Sequence, residues 1–376
     1  MGRWSKEEIE SAFKRYQIQG RNAARSGDWH RWGEMFTEDV TYVEQEVGQW
    51  GGRAAAVREM AALMHQNEGT PWVWVNQYPV KSYVVDEERG WVWSQIWNRM
   101  EDPGNGVVLQ ENCLTMLRYD GAGLFNYEED LYNPHAYVEM VKKWVKLNAE
   151  CKEGELDETT RAARAEAAHS FADVKTFEPA PPPSSVSGDH AEARRGRRPR
   201  GRFPKEEIEA AFDHFRGQLA LSGKTRDWSH LGAAITKDAT WVDCRLGKIG
   251  KREGIVRRVE GLLHRVEDEA PWVQLCRFPV AEFVIDEAAE SVWTFLWARF
   301  DDMGDGIRHE AKVFAELTYG GDGLFKVIET LYNPNHFDRA LKSYKEGRVV
   351  YEERRERRAQ RLAEREAKAR SMTPDD

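Results

Sequence analysis

The sequence has few cysteines and no long apolar run. Only four of its 376 residues are cysteine, and they are too scattered for a disulfide framework or a CxxC-type zinc site. No stretch approaches the ~20 consecutive apolar residues that a membrane span needs, and residues 1–8 lack the apolar run of a signal peptide. These absences argue against secreted, membrane-spanning and zinc-finger proteins, and they predict a cytoplasmic location.

Basic residues are also in deficit. The chain has 55 Lys and Arg against 64 Asp and Glu, a formal net charge of −9, whereas a general nucleic-acid binder needs a basic face. We therefore expect no nucleic-acid partner. The sequence lacks a phosphate-binding loop, a nucleophile–histidine motif and clustered His and Cys ligands, so we expect no cofactor and no metal. With 41% hydrophobic residues, packed cores are possible.

The sequence does contain a long internal repeat. Lys6-Glu7-Glu8-Ile9-Glu10 recurs 199 residues later, beginning at Lys205, and Leu131-Tyr132-Asn133-Pro134 recurs 200 residues later, beginning at Leu331. One residue is therefore inserted in the second copy. The matched landmarks keep their order over about 140 residues, which is too long a unit for a solenoid repeat. The repeat predicts two tandem domains, at residues 4–150 and 203–346.

The segments outside the repeat differ in composition. Residues 151–202 include a run of prolines and serines from Pro179 and a run of arginines from Arg194. Because proline blocks regular structure and like charges repel, we predict a Pro/Arg-rich, largely disordered linker. Residues 347–376 alternate blocks of Glu and Arg, which predicts a charged helical tail held by pairs at three- and four-residue spacing.

Within each copy, helices are predicted first and most strands later. Ser5 followed by Glu8 is a capping box, and a short second helix is predicted from Asp28 to Phe36. A first strand at 40–44 and a helix at 53–63 follow. Later strands are predicted at 72–75, 80–85, 91–99, 107–119 and 124–131, and Asn133-Pro134 opens a last helix. The fold class is therefore α+β: two tandem cone-shaped domains, each a curved, mostly antiparallel sheet covered by helices.

Four stretches of the first copy carry a family resemblance. They are Gly27-Asp28-Trp29, residues 36–44, Gly51-Gly52-Arg53 and Tyr127-Glu128-Glu129-Asp130. In this order they resemble the nuclear-transport-factor-2-like superfamily, and within it the SnoaL-like, polyketide cyclase-like branch. The superfamily includes ketosteroid isomerases, dehydratases, polyketide cyclases, epoxide hydrolases and proteins that only bind. Members often dimerise through the open sheet face, which implies an intramolecular pseudo-dimer here.

The resemblance implies a general base at the end of the first strand. In ketosteroid isomerases the matching stretch ends in the carboxylate that moves the proton, which corresponds to Glu44 and, in the second copy, Asp243. Burial in an apolar cone raises a carboxyl pKa and strengthens the group as a base. Tyr16 corresponds to the family's phenol on the first helix, and Phe215 replaces it in the second copy. A strand-end acid that only faces water is the alternative.

Three polar residues of one strand are candidates for substrate binding. Glu111, Cys113 and Thr115 share strand parity, so we expect them to face one side of the sheet, either the cone interior or an interface. The second copy has Ala311, Val313 and Ala315 at these positions. If this face is the cone interior, the first pocket is polar and the second nearly inert.

Tryptophans give a further candidate surface. Trp93 and Trp97 share one face of a strand with Trp91. Such a row of aromatic rings lines a flat polycyclic ligand, or it packs in a sheet or domain interface. Packing is the more frequent role of such a row, and we favour that interpretation while keeping Trp93 and Trp97 as candidates for substrate binding.

Two functions are compatible with these observations. The first is a cofactor-independent isomerase, cyclase or dehydratase that acts by acid–base chemistry on a hydrophobic, polyketide- or steroid-like polycyclic molecule. Glu44 would be its base, with Tyr16, Glu111 and Thr115 as helpers. The second is a non-catalytic accessory protein that binds such a hydrophobic small molecule, or that binds another protein through its sheet faces.

Overall fold

The structure, a computed structural model, describes residues 2–66, 74–153, 201–263, 275–304 and 306–371. The predicted linker lies almost wholly outside the described residues, as do residues 372–376 of the predicted tail. The described residues form two units of one architecture. Each is an α+β domain with a seven-stranded, mostly antiparallel sheet and helices packed against it.

The first domain begins with helices and ends with one. Its helices are α1 (Lys6–Ser26), α2 (His30–Gly33), α3 (Arg53–Ala61), continued by a π-helical turn (Ala62–Gln66), and α4 (Pro134–Glu153). Its strands are β1 (Phe36–Glu44), β2 (Gly48–Gly51), β3 (Val75–Gln77), β4 (Val80–Asp86), β5 (Trp91–Met100), β6 (Gln110–Gly121) and β7 (Leu124–Tyr132).

Helix α1 shows why the capping pattern is informative. The Ser5 hydroxyl accepts a hydrogen bond from the Glu8 backbone N–H at 3.2 Å, which satisfies one of the donors that a helix start leaves free. Gly27 ends the helix at φ 75°, a left-handed conformation that favours glycine. Ile9, Phe13 and Tyr16 are buried on one side of this helix, as the three- and four-residue spacing predicts.

The first sheet has the strand order β2-β1-β7-β6-β5-β3, and β4 also pairs with β5. Strands β1 and β7 are parallel, and the other pairs are antiparallel. Helices α1 and α3 contact the sheet on the side of its main apolar core. Strand β1 lies near the start of the first copy and β7 near its end. Their pairing brings together residues of the site described below.

Several predicted elements have different bounds. The strand predicted at 72–75 is observed as β3 from Val75, and residues 72 and 73 lie outside the described residues. The short second helix ends at Gly33, and Phe36 opens β1 instead of lying in the helix. The strand predicted at 107–119 begins only at Gln110. The reason is a loop in which the Asp102 carboxylate accepts hydrogen bonds from the backbone N–H groups of Gly104 and Gly106 at 2.9 and 3.0 Å.

The second domain repeats the first. Its helices are α5 (Lys205–Thr225), α6 (Ser229–Ala233), α7 (Arg252–Leu263) and α8 (Pro334–Ser371). Its strands are β8 (Ile235–Asp243), β9 (Gly247–Gly250), β10 (Leu275–Arg277), β11 (Val280–Asp286), β12 (Ser291–Phe300), β13 (Glu310–Gly321) and β14 (Leu324–Tyr332). The strand order is β9-β8-β14-β13-β12-β10, with β11 paired to β12.

The two sheets contact each other through the faces opposite their helices. The rings of Trp93 and Phe295 lie 5.0 Å apart at this contact, between centroids. A buried apolar cluster surrounds them, with Val84, Leu114, Met116 and Leu131 from the first sheet and Val284, Trp293, Phe314 and Leu331 from the second. Burial of this apolar surface favours the pairing of the sheets.

Polar contacts flank the apolar cluster. The Lys312 ammonium donates to both carboxylate oxygens of Glu129, at 2.7 and 2.8 Å, and both side chains are mostly buried. Lys81 of the first domain pairs in turn with Glu329 of the second. The Asn133 amide donates to the Cys244 carbonyl at 3.0 Å. Each domain therefore supplies a lysine to a glutamate of the other.

Helix α8 extends well beyond the second sheet. Its residues from Glu346 to Glu364 are almost all exposed. Arg348 pairs with Glu352 at 2.9 Å, and Arg357 pairs with Glu353 at 2.8 Å. Within the described parts of the chain, no helix combines the length and the apolar character that crossing a membrane requires.

Candidate functional site

Strand register brings seven polar residues of the first domain to one face of its sheet. Side chains alternate between the two faces of a strand, so Glu128 and Asp130 of β7 point to the same side. Tyr42 lies beside Glu128 and Glu44 lies beside Asp130 in the β1–β7 pairing. In the β6–β7 pairing, Thr115 is opposite Asp130 and Cys113 is opposite Tyr132.

These side chains line a cavity of about 160 Å³. Tyr16 and Gln17 enter it from α1, and aromatic and aliphatic residues form most of the remaining wall. The apolar lining residues include Trp29, Trp32, Met60, Leu63, Met64, Val75, Tyr78 and Ile96. The volume is close to the roughly 150 Å³ of an apolar cavity that holds a benzene molecule, so the site matches a ligand of about one ring.

Glu128 has an unusual environment. It is 2% exposed, and its Oε1 accepts a hydrogen bond from the Tyr16 hydroxyl at 2.6 Å. Its Oε2 is buried and has no hydrogen-bond partner among the described residues. Burial, and then the charge of Asp130, raise the pKa of Glu128 well above its ordinary value. Burial also raises the pKa of Tyr16, so the phenol keeps its proton.

Asp130 lies in the same cavity in a different environment. Its carboxylate accepts hydrogen bonds from the Tyr42 hydroxyl at 2.8 Å and the Thr115 hydroxyl at 2.5 Å. The Cys113 thiol lies 3.7 Å from the same carboxylate. Burial raises the Asp130 pKa, and these three donors oppose the rise by stabilising the charged form. Glu128 and Asp130 therefore share one cavity but differ in hydrogen bonding: Asp130 has three donors, whereas Glu128 has one donor and an oxygen without a partner among the described residues.

Glu44 lines the cavity, as predicted from its position, but much of its carboxylate is engaged elsewhere. Its Oε2 accepts hydrogen bonds from the backbone N–H groups of Glu46 and Val47, at 3.0 and 2.6 Å, and the Tyr132 hydroxyl also bonds to the side chain. Burial raises the Glu44 pKa against these hydrogen bonds. The side chain, 3% exposed, does not face water.

Asp243 has the matching arrangement in the second domain. Its Oδ1 accepts from the backbone N–H groups of Arg245 and Leu246, each at 2.9 Å. Its Oδ2 accepts from the Thr330 hydroxyl at 2.7 Å. A carboxylate that closes the turn after the first strand is therefore common to both domains, and this role is structural.

The remaining predicted residues divide between two faces. Tyr16, Cys113 and Thr115 lie in the cavity wall with Glu44. Trp93 is fully buried in the contact between the two sheets, and Trp97 faces the same side, where its ring lies 5.7 Å from the Lys81 ammonium.

The prediction that Trp93 and Trp97 bind substrate therefore needs correction. On β5 the even-numbered positions, such as Ile96 and Asn98, face the cavity. Glu111 has the parity of Cys113, but it lies at the start of β6, opposite Asn98, and is not part of the described cavity wall.

Glu128 and Asp130 were not predicted as site residues. Both belong to the motif Tyr127-Glu128-Glu129-Asp130, in which acids occur on both faces of the strand. Polarity alone does not indicate which acid faces the cavity. Comparison of the two copies could have identified them. Ile328 and Thr330 occupy the same positions in β14. Since the second domain keeps the fold without these two acids, the fold does not require charge at these positions.

The second domain also has a cavity, of about 640 Å³. Its wall contains Phe215, Trp241, Val313, Ala315 and Ile328. These residues stand at the positions of Tyr16, Tyr42, Cys113, Thr115 and Glu128. The second cavity is thus larger and much less polar than the first.

Comparison with known proteins gives distant structural similarity. No protein-family model matches the chain, and neither does any curated protein. A SnoaL-like polyketide cyclase structure from Jannaschia sp. CCS1 is 14% identical, with 38% of this chain and 97% of that chain covered and a TM-score of 0.29. An LEH-like epoxide hydrolase of M. tuberculosis is also 14% identical, with 37% and 92% covered and a TM-score of 0.27.

A further solved structure is similar over the same extent. A protein with a ketosteroid isomerase-like fold from Catenulispora acidiphila DSM 44928, in complex with trimethylamine, is 15% identical, with 34% of this chain and 92% of that chain covered and a TM-score of 0.27. Each of these matches spans about one of the two domains. Identities this low carry no information about reaction or substrate.

Proposed function

We propose that the first domain is a cofactor-independent acid–base catalyst for a small, largely apolar molecule. The reaction class is an isomerisation, cyclisation or dehydration that begins with proton transfer next to a carbonyl group. One observation supports this most directly: Glu128 Oε2 is buried without a partner, beside an Asp130 carboxylate that has three donors. Two acids with opposed environments in one cavity are typical of an acid–base pair.

Glu128 is the proton donor in this proposal. Burial and the neighbouring charge hold it in the neutral form, and a neutral carboxyl group has one O–H donor. Because Oε1 already accepts from Tyr16, the proton belongs on Oε2. A substrate oxygen that reaches Oε2 would accept this hydrogen bond and so gain stabilisation as negative charge develops on it.

Asp130 is the base. Hydrogen bonds from Tyr42, Thr115 and Cys113 favour its ionised form, while burial still raises its pKa toward the range in which a base is effective near neutral pH. The carboxylate removes a proton from carbon, and Glu128 donates to the oxygen. In an isomerisation, the proton that Asp130 removed returns at a second carbon. In a dehydration, it passes to the departing hydroxide, which leaves as water. In a cyclisation, the carbanion attacks a second carbonyl carbon of the substrate, and the oxygen of that carbonyl takes the proton.

The proposal differs from the sequence-based one in two respects. Glu44 remains a carboxylate of the cavity wall, but its hydrogen bonds with the backbone N–H groups of Glu46 and Val47 close the turn after β1. Asp130 is assigned as the base because it lies on the same face of β7 as Glu128, so both groups can reach one substrate. The cavity volume of about 160 Å³ favours a substrate of about one ring over the polycyclic molecule expected from the family resemblance.

Hydrogen exchange tests the proposal without knowledge of the natural substrate. Cyclohexanone and 2-cyclohexenone are incubated with the protein in D₂O. Proton abstraction is then measured as loss of the ¹H NMR signal of the protons on the carbon next to the carbonyl. We expect the wild-type protein to accelerate this exchange and Asp130→Asn to lower the rate by about 10²-fold or more, since general-base catalysis contributes ~10²–10⁴-fold.

A matched control lies on the face of the second sheet that contacts the first domain, where Glu329 pairs with Lys81. Glu329→Gln makes the same type of change away from both cavities, and it should leave the exchange rate unchanged. Exchange that persists at the wild-type rate in Asp130→Asn, or binding of both ketones without any exchange, would contradict the proposed chemistry.

The relation between the domains forms a second part of the proposal. The apolar contact around Trp93 and Phe295 and the Lys312–Glu129 ion pair support an intramolecular pseudo-dimer. A solution mass of one chain is the expected result, and a mass of two chains would contradict it. The cytoplasmic location stays a prediction.

A further inference from the structure

The second domain keeps the fold of the first while its cavity loses polar atoms. The strand registers match, because Tyr42 beside Glu128 in β1 and β7 corresponds to Trp241 beside Ile328 in β8 and β14. Six cavity positions change from polar to apolar. The replacements are Tyr16 by Phe215, Asn98 by Ala298, Cys113 by Val313, Thr115 by Ala315, Glu128 by Ile328 and Tyr137 by Phe337.

The polar groups that remain in the second cavity bond to one another. The Trp241 indole N–H donates to Thr330 Oγ1 at 2.9 Å, and the Thr330 hydroxyl donates to Asp243 at 2.7 Å. The Tyr332 hydroxyl also donates to Asp243, at 3.1 Å. No buried polar side-chain atom of this cavity wall lacks a hydrogen-bond partner among the described residues. The interior of the cavity therefore suits a hydrocarbon body.

The space available is also larger. The volume is about 640 Å³, against about 160 Å³ in the first domain, because smaller residues line the wall. Leu231 stands at the position of Trp32, and Val259 stands at that of Met60. Ligand cavities in proteins commonly measure ~300–1,000 Å³, so this cavity has the size of a ligand site and the first is smaller.

One end of the cavity holds the guanidinium of Arg245 beside the buried carboxylate of Asp243. That carboxylate already accepts four hydrogen bonds, from the backbone N–H groups of Arg245 and Leu246 and from the hydroxyls of Thr330 and Tyr332. Arg245 belongs to the cavity wall, is exposed, and has no ion pair among the described residues. Its backbone N–H donates to Asp243 Oδ1 at 2.9 Å, so the residue lies at the polar end of the cavity. The equivalent residue in the first domain is Glu46, so the sign of the charge is reversed. Asp338 also contributes to the wall, but it is exposed on α8 beside Arg339.

We propose that the second cavity binds, without chemical change, an amphipathic carboxylic acid: a hydrocarbon body fills the apolar interior and the carboxylate pairs with Arg245. Guanidinium and carboxylate form charge-assisted hydrogen bonds. This binding does not depend on the chemistry proposed for the first domain. The duplicated chain would then combine a reactive cavity with a receptor cavity.

Isothermal titration calorimetry with decanoate and 1-decanol tests this proposal. Both share the hydrocarbon body and only decanoate carries the charge. We expect one decanoate bound per wild-type chain, about tenfold weaker binding of decanoate to Arg245→Gln, and binding of 1-decanol unchanged by that substitution. Arg245 is exposed, so this variant is expected to fold.

A second pair of variants locates the ligand. Ala315→Phe fills the second cavity and should weaken binding of both compounds, whereas the matched change in the first domain, Thr115→Phe, should leave both affinities unchanged. Asp130→Asn should bind decanoate as the wild type does, which separates this test from that of the proposed catalysis. The proposal is overturned if the wild type binds neither compound, if Arg245→Gln has no effect on decanoate, or if Thr115→Phe is the change that weakens binding.

Discussion

The Tyr16 hydroxyl donates a 2.6 Å hydrogen bond to Glu128, and neither partner exists in the second domain, where Phe215 and Ile328 take their places. The two domains share a fold, so the fold does not require this pair. A buried acid raises the free energy of the folded state unless something stabilises it. The pair is therefore best explained by a function specific to the first cavity.

The rate of proton exchange should depend on pH in a bell-shaped manner. The rate rises as Asp130 ionises and falls as Glu128 loses its proton at higher pH, since burial and the Asp130 charge raise the Glu128 pKa. Glu128→Gln retains a hydrogen-bond donor but cannot titrate. We expect this variant to be slower and to lack the fall at high pH. If the exchange rate of Glu128→Gln falls at high pH as the wild-type rate does, Glu128 is not the titrating acid.

The same group should make folding stability depend on pH. The Glu128 pKa is raised on folding, so its contribution to stability is complete below the unfolded-state value of ~4.3. That contribution is lost as the pH rises toward the folded-state value. A single such proton gives a slope of ~1.4 kcal/mol per pH unit. Urea unfolding from pH 5 to 8 should show a flatter dependence for Glu128→Gln than for the wild type, and equal slopes would contradict this assignment.

Variants of Glu44 distinguish a structural role of this carboxylate from a catalytic one. Glu44→Ala removes the acceptor for the Glu46 and Val47 backbone N–H groups, and we expect a loss of about 1–3 kcal/mol of stability. Asp243→Ala should cost a similar amount in the second domain. Glu44→Gln keeps an acceptor, so it should be milder, and it should retain most of the exchange activity that Asp130→Asn loses. If Glu44→Gln abolishes exchange while folding normally, Glu44 is the base.

The ion pair between domains should show strong coupling. Lys312 and Glu129 are 14% and 6% exposed in their side chains, and removing one partner leaves a buried charge, at a cost of about 3–5 kcal/mol. We expect Lys312→Met to be strongly destabilising and the double variant with Glu129→Gln to recover part of the loss in a double-mutant cycle. Additive effects of the two changes would show that the pair is not coupled.

The fold was largely predictable from local patterns. The Ser5–Glu8 capping box gave the start of α1, and the 199–200-residue offset gave two copies of one domain. The end of α2 was not predictable in this way, since Phe36 fits the apolar face of a helix as well as it fits β1. Its place in β1 depends on pairing with Phe125 in a strand nearly 90 residues later.

The site was less predictable because both faces of each sheet are buried. Trp93 and Thr115 lie on neighbouring strands, yet one faces the sheet contact and the other faces the cavity. Alternation predicts that they differ in face when their register is known, and register depends on tertiary pairing. Glu128 and Glu129 show the same difficulty, because adjacent acids serve a cavity and a domain contact respectively.

The protonation state of Glu128 is the most direct test of this account. With ¹³C-labelled glutamate, the side-chain carboxyl resonance that disappears in Glu128→Gln reports that group alone, and its chemical shift follows ionisation across a pH titration. We predict a protonated Glu128 carboxyl at pH 7 in the folded protein. A resonance that titrates near 4 and is fully ionised at pH 7 would contradict the assignment of Glu128 as the proton donor.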